Sequence, residues 1–296
     1  MIRHGLPLLL LTVALVVCYA IGGALSGLAR AASPDGAPPP LLVVPIVGWV
    51  AAALYYLVAR ARRGGWPMVG AVFLAFFGLN TLSPQLESLF FLQQQLPDGM
   101  VSRILLNGAI VAVLFSPVVV WASGRLTPSP ATTVDAYSWF TPDWLQRYAG
   151  LAVAYAALYL LFGYFVAWRD PVVREYYNGI TPAGFFPHLA WMLSDQPGVF
   201  VLQLFRGLLY LGLVLPAVRL FQRGPGESAL VVALLCTMGA GQLLLPNPFM
   251  PEAVRMTHLW EILSSNALFG LLTGWVLARA LSSDEAPTPQ PVPAVG

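Results

Sequence analysis

The chain contains no lysine, and all fifteen of its basic residues are arginine. Charge of either sign is scarce: only 9% of the 296 residues are Asp, Glu, Lys or Arg, where a soluble domain carries about 25%. The net charge of +2, with no basic run beyond Arg60, Arg62 and Arg63, argues against a nucleic-acid partner. Cysteine is nearly absent. Cys18 and Cys236 lie in apolar stretches without CxxC or Cys/His spacing, so they read as buried free thiols, with no basis for structural zinc or redox chemistry. Three histidines, His4, His188 and His258, are a poor basis for haem. No P-loop, nucleotide or flavin signature is present, so the cofactor stays unassigned.

Apolar length is what the chain has in excess: 58% of residues are hydrophobic and the mean hydropathy is +0.73. Runs of about 20 apolar residues, enough to cross a bilayer, fall near 6–29, 41–60, 67–91, 101–123, 149–168, 198–221, 228–246 and 256–281. The expected fold is therefore all-α, a polytopic integral membrane protein with eight transmembrane helices in one bundle whose immediate partner is the lipid bilayer. Residues 1–281 form one transmembrane domain. Residues 282–296, with four prolines, Asp284 and Glu285, cannot bury a core and read as a disordered tail.

The first run could be taken for a cleaved leader because Arg3 precedes it and Ala29-Arg30-Ala31 has small residues. Its apolar stretch exceeds a leader's usual length, so it is kept as a spanning helix. Val17 before Cys18 excludes a lipoprotein processing site.

Arginine placement sets the orientation. With eight crossings, nine arginines (Arg3, Arg60, Arg62, Arg63, Arg125, Arg147, Arg219, Arg223, Arg279) fall on one side and five (Arg30, Arg103, Arg169, Arg174, Arg255) on the other. This puts both termini in the cytoplasm of a bacterial inner-membrane protein. Two aromatic-rich connections, 135–148 and 170–197, look interfacial and amphipathic. The first has Thr141-Pro142-Asp143 as a helix start on the cytoplasmic surface. The second, with Tyr176, Tyr177, His188 and Trp191, is either a headgroup belt or a lid on the outer side.

Function is sought in three polar stripes at helical spacing: Asn80, Ser83 and Glu87; Gln203, Arg206 and Tyr210; His258, Glu261 and Ser265. Residues three and four apart share one helix face, and ionisable groups inside hydrocarbon face a protein interior or a water-filled cavity. With the orientation above, Glu87, Arg206, His258 and Glu261 all fall in the outer half of the bilayer, and Gln203, Gln242 and Asn107 fall at similar depth. A buried Arg206 requires a carboxylate, and Glu87 and Glu261 are the candidates. Three readings follow. The cluster binds or passes a small polar or anionic solute, with Arg206 as anion partner and Glu87, His258 and Glu261 as proton-coupling groups. Alternatively, it is an enzyme site in which His258 and Glu261, with Glu87 or His188, act on a metal or as acid and base. In the third reading it is a staple within a structural or accessory subunit of a membrane complex. The stretch from Pro246 to Glu252 carries three prolines and stiffens the approach to His258.

The string Phe205-Arg206-Gly207-Leu208-Leu209 resembles part of the glutamate motif of the CPBP intramembrane metalloproteases. That motif's paired glutamates are replaced here by Val201 and Leu202, and no protease activity is carried over.

Overall fold

In a hydrocarbon medium each backbone N–H and C=O must be satisfied within its own segment, so apolar runs of this length become helices. The computed structural model describes residues 2–28, 40–93, 95–127, 141–177, 179 and 184–284, and among these there is no strand. In chain order the helices are α1 (Ile2–Leu25), α2 (Pro40–Arg60), α3 (Trp66–Phe91), α4 (Met100–Ala122) and α5 (Pro142–Ala167). Two short helices follow, α6 (Pro171–Tyr176) and α7 (Phe185–Asp195), then α8 (Pro197–Phe221), α9 (Pro225–Leu244) and α10 (Glu252–Asp284). Among the described residues eight helices are long and apolar enough to cross a membrane, all but α6 and α7. The expected spans match them to within a few residues, apart from an earlier start of α5.

Six of these helices have proline as their first or second residue, at Pro40, Pro67, Pro142, Pro171, Pro197 and Pro225, where the missing N–H costs nothing. Thr141 caps α5 by accepting from Trp144 N at 3.4 Å, and Asp170 caps α6 by accepting from Val172 N at 2.9 Å. From the Thr141 cap no breaker intervenes before Phe162, so Trp144 and Tyr148 belong to the first two turns of α5. The described part of 135–148 is thus not a separate surface helix, and residues 135–140 lie outside the described set. At the other end, α10 extends to Asp284, beyond the tail boundary expected at 282; the tail from 285 lies outside the described residues.

Helix α8 packs against α2, α3, α5, α9 and α10. The tightest approach is between α9 and α10. A Cβ added at Gly270 would stand 2.5 Å from Ala233 Cα, and one at Gly274 would stand 2.3 Å from Ser228 O. This Gly-x3-Gly spacing lets two backbones meet, a common way to associate helices where apolar burial gives no advantage over lipid.

The connections sort onto two faces. On one, Arg62 N and Arg63 N donate to Phe221 O and Leu220 O, Gly65 N donates to Arg125 O, and Arg60 pairs with Glu227. This Arg-rich face gathers loops that the arginine distribution placed on one side. On the opposite face, the Tyr176 hydroxyl donates to Phe249 O at 2.7 Å and Thr257 Oγ1 donates to Asp170 Oδ2 at 3.0 Å. These bonds join α6 and its cap Asp170 to the loop before α10 and to α10 itself.

Three spanning helices lose regular α geometry in their half nearer this opposite face. Gly78–Leu82 in α3 and Gly163–Ala167 in α5 are π turns, and Met238–Leu244 in α9 is a 3-10 segment. Such breaks free carbonyls and rotate the following residues, and they recur at functional sites.

Candidate functional site

Arg206 lies nine residues into α8, about 13 Å along the axis at 1.5 Å per residue, and is 4% exposed. Its Nη1 donates to Glu87 of α3 and, at 2.9 Å, to Gln203 Oε1 one turn earlier; its Nη2 stands 3.5 Å from Ser83 Oγ. The guanidinium carbon is 5.5 Å from the Tyr155 ring centroid, a cation–π distance. Desolvating an arginine is compensated only where a carboxylate and further acceptors are supplied together, and here Glu87, Gln203 and Ser83 do so. Of the two carboxylates available, the fold gives Arg206 Glu87. The pair is unevenly placed: the Arg206 side chain is 5% exposed and that of Glu87 25%. Arg206 Nε is buried without a hydrogen-bond partner among the described residues, and the Gln203 side chain also lies beside Tyr159.

Glu261 is taken by its own helix. His258 Nδ1 and Glu261 Oε2 are 2.6 Å apart, and His258 Nε2 is 3.1 Å from the Tyr177 hydroxyl. A carboxylate only accepts, so Nδ1 carries the proton, and while the imidazole is neutral Nε2 accepts from the Tyr177 O–H. Glu261 Oε1 faces the π turn of α5, where a Cβ at Gly163 would lie 3.4 Å from it. Tyr177 covers this pair from the opposite-face connection, its ring 5.6 Å from that of His258 and edge-on to Phe91. Burial among these rings pushes the Tyr177 hydroxyl well above its usual range, so it serves as a donor rather than a source of protons.

The two pairs belong to one electrostatic cluster. Glu87 lies within electrostatic reach of His258, and Tyr159 of α5 lies within reach of Glu87, Glu261 and Arg206 and stands beside Gln203. Four helices, α3, α5, α8 and α10, therefore converge on it.

The α3 stripe does not stay on one face. Ser83 and Glu87 turn to Arg206, whereas Asn80 Nδ2 donates to the Tyr19 hydroxyl of α1 at 3.1 Å. The π turn at Gly78–Leu82 adds residues per turn between them. A carbonyl in this turn, Asn80 O, accepts from Gln242 Nε2 at 2.7 Å, tying the α3 break to the α9 break. Asn80 and Gln242 thus form a second station, separate from Arg206. Asn107, expected at this depth, stands against α1, where its Oδ1 would be 2.6 Å from a Cβ at Gly22.

His188, considered as a third metal ligand, is packed among aromatic rings instead. Its ring lies 5.3 Å from Tyr164, 5.6 Å from Trp168 and 5.6 Å from Trp191, and this burial lowers its pKa. Among the described residues no three His, Cys, Asp or Glu side chains come together as a metal-ligand group. The tyrosines Tyr155, Tyr159 and Tyr19 are site residues that the polar stripes did not include. Their signal was the four-residue spacing of Tyr155 and Tyr159 inside an apolar run, which hydropathy alone scores as ordinary.

Comparison with known protein families, with curated proteins and with solved structures finds no match to this chain.

Proposed function

We propose that this chain is a bacterial inner-membrane protein, one eight-helix transmembrane bundle with both termini cytoplasmic. Its Arg206 cluster binds and passes a small anionic solute together with a proton. The observation that supports this is the uneven closure of Arg206. It is held by a carboxylate five times more exposed than itself, and its buried Nε lacks an acceptor among the described residues.

Glu87 occupies the place that an anion would take. An incoming carboxylate or similar group displaces Glu87 from the guanidinium and gains a bidentate contact. The cluster then holds one more negative charge in a medium of low effective dielectric, which is unfavourable until a proton enters. Glu87, His258 and Glu261 accept that proton, with Tyr177 holding the imidazole in place. Anion and proton therefore move together, one for one, and the cluster keeps its charge. The outer end of the cluster is covered by Tyr177, whose hydroxyl meets His258 Nε2. The supporting pattern on the Arg-rich face, Arg60 with Glu227 and Arg223, fits a cytoplasmic surface.

The test is uptake into proteoliposomes that contain a pH-sensitive dye and are exposed to a panel of small anions. At least one anion is expected to enter with dye acidification, and His258→Ala or Glu261→Gln should separate entry from proton movement. Absence of anion-dependent proton flux across the panel rejects the coupling. A staple within an accessory subunit is the second reading, favoured by the fact that Arg206–Glu87 joins α8 to α3. Full activity of an Arg206→Leu/Glu87→Gln double variant in the native membrane would establish that reading and reject the first.

A further inference from the structure

Arg255, one turn before His258 on α10, presents a different electrostatic situation. It is 8% exposed, and its Nη1 donates to Leu243 O at 2.9 Å and to Leu245 O at 2.6 Å. These carbonyls end the 3-10 segment of α9 and would otherwise be unsatisfied. Among the described residues no carboxylate lies within ion-pair distance of Arg255, and its Nε is buried with no hydrogen-bond partner. Nη1 carries both carbonyl bonds, which leaves Nη2 as the donor end of the guanidinium open to an incoming acceptor. A carbonyl pair satisfies hydrogen bonds but does not neutralise a buried cation.

Arg255 lines a pocket of about 590 Å³ on the opposite face, within the roughly 300–1,000 Å³ range of small-molecule sites. The remaining walls are mostly apolar: Tyr176, Pro246, Phe249 and Met250, with Glu252 as the one acidic group. The Tyr176 hydroxyl bonded to Phe249 O fixes one wall to the other, and the prolines between 246 and 251 limit its backbone freedom.

We infer that this pocket is a binding site for a small monocarboxylate with an apolar or aromatic body. The carboxylate docks on Nη2 of Arg255 and the body lies against Tyr176, Phe249 and Met250. Glu252 sets the charge of the ligand, because a second negative group would face it. The site is separate from the Arg206 cluster and does not depend on the transport reading.

Benzoate titrated against the full chain in nanodiscs, followed by saturation-transfer NMR, tests this. Benzoate should bind saturably, and benzyl alcohol and inorganic phosphate should bind at least tenfold more weakly. Arg255→Gln should weaken benzoate at least tenfold. Glu252→Gln alters an exposed side chain and should tighten benzoate severalfold at low salt; it decides the matter if the Arg255 variant fails to fold. No saturable benzoate binding, equal binding of benzyl alcohol, unchanged affinity in a folded Arg255→Gln protein, or unchanged affinity in Glu252→Gln would each overturn the site.

Discussion

The Arg206–Glu87 and His258–Glu261 pairs sit in one cluster but are built in different ways. The first joins α8 to α3 across 119 residues of chain, whereas the second lies within one helix at a spacing of three. An ion pair between helices exists only when the tertiary structure exists, so breaking it damages the fold. A pair within one helix is set by local geometry, and changing its protonation leaves helix packing in place. Under the proposed function the contrast divides labour: Arg206–Glu87 links α3 to α8 until an anion takes the place of Glu87, whereas His258–Glu261 stays within α10 throughout.

The strongest way to break this comparison is to remove one member of the clamp. Glu87→Gln leaves Arg206 buried without a counter-charge and should lower stability by about 3 kcal/mol or more, measured by unfolding in mixed micelles. Replacing both partners, Arg206→Leu with Glu87→Gln, should recover most of that loss, because apolar replacement of a buried pair is close to neutral. If the double variant is no more stable than the single one, the clamp is not what the loss measured.

Glu261→Gln should cost less, about 1 kcal/mol, since one hydrogen bond within a helix is weakened and no helix is released. The same variant should nonetheless remove proton coupling in the proteoliposome assay. A stability loss equal to that of Glu87→Gln would erase the distinction between the pairs. Tyr177→Phe removes the hydroxyl on His258 Nε2 and keeps the ring, so its effect should be smaller still, below about 1 kcal/mol. It should also shift the pH dependence of uptake.

The smallest effect concerns α7, which docks on α5 through His188. Burial lowers the His188 pKa below the ordinary 6.5, so the folded protein prefers the neutral ring. The unfolded or undocked state binds the proton more readily as pH falls below 6.5. Docking stability is therefore full above that value and declines toward the lower folded pKa. Tryptophan fluorescence from Trp168 and Trp191 should change over this acid range in the parent and not in His188→Phe. An identical response in both would show that the ring is not the sensor.

Arg206 and Glu87 also show how far local pattern carries. The need for a carboxylate beside Arg206 followed from its position in an apolar run, and its depth followed from helix rise. The choice of Glu87 over Glu261 did not. His258 captures Glu261 from three residues away, and the π turn at Gly78–Leu82 rotates Ser83 and Glu87 toward α8 while leaving Asn80 on Tyr19. Regular 3.6-residue spacing had placed all three on one face. The α5 start was missed for a local reason: the polar first turns of a spanning helix, with Trp144 and Tyr148, look like an interfacial segment when hydropathy is the only guide.

The sequence by itself determined the membrane class and the eight apolar helices. Each of these depends on composition and rise along a single segment, because the transfer of side chains and backbone into lipid is settled segment by segment. Only the tertiary structure decided which carboxylate meets Arg206, that Asn80 and Gln242 form a station of their own, and that Arg255 faces a pocket with no carboxylate beside it. Those outcomes depend on distances between helices far apart in the chain, and on irregular turns whose one-residue rotation no hydropathy pattern encodes.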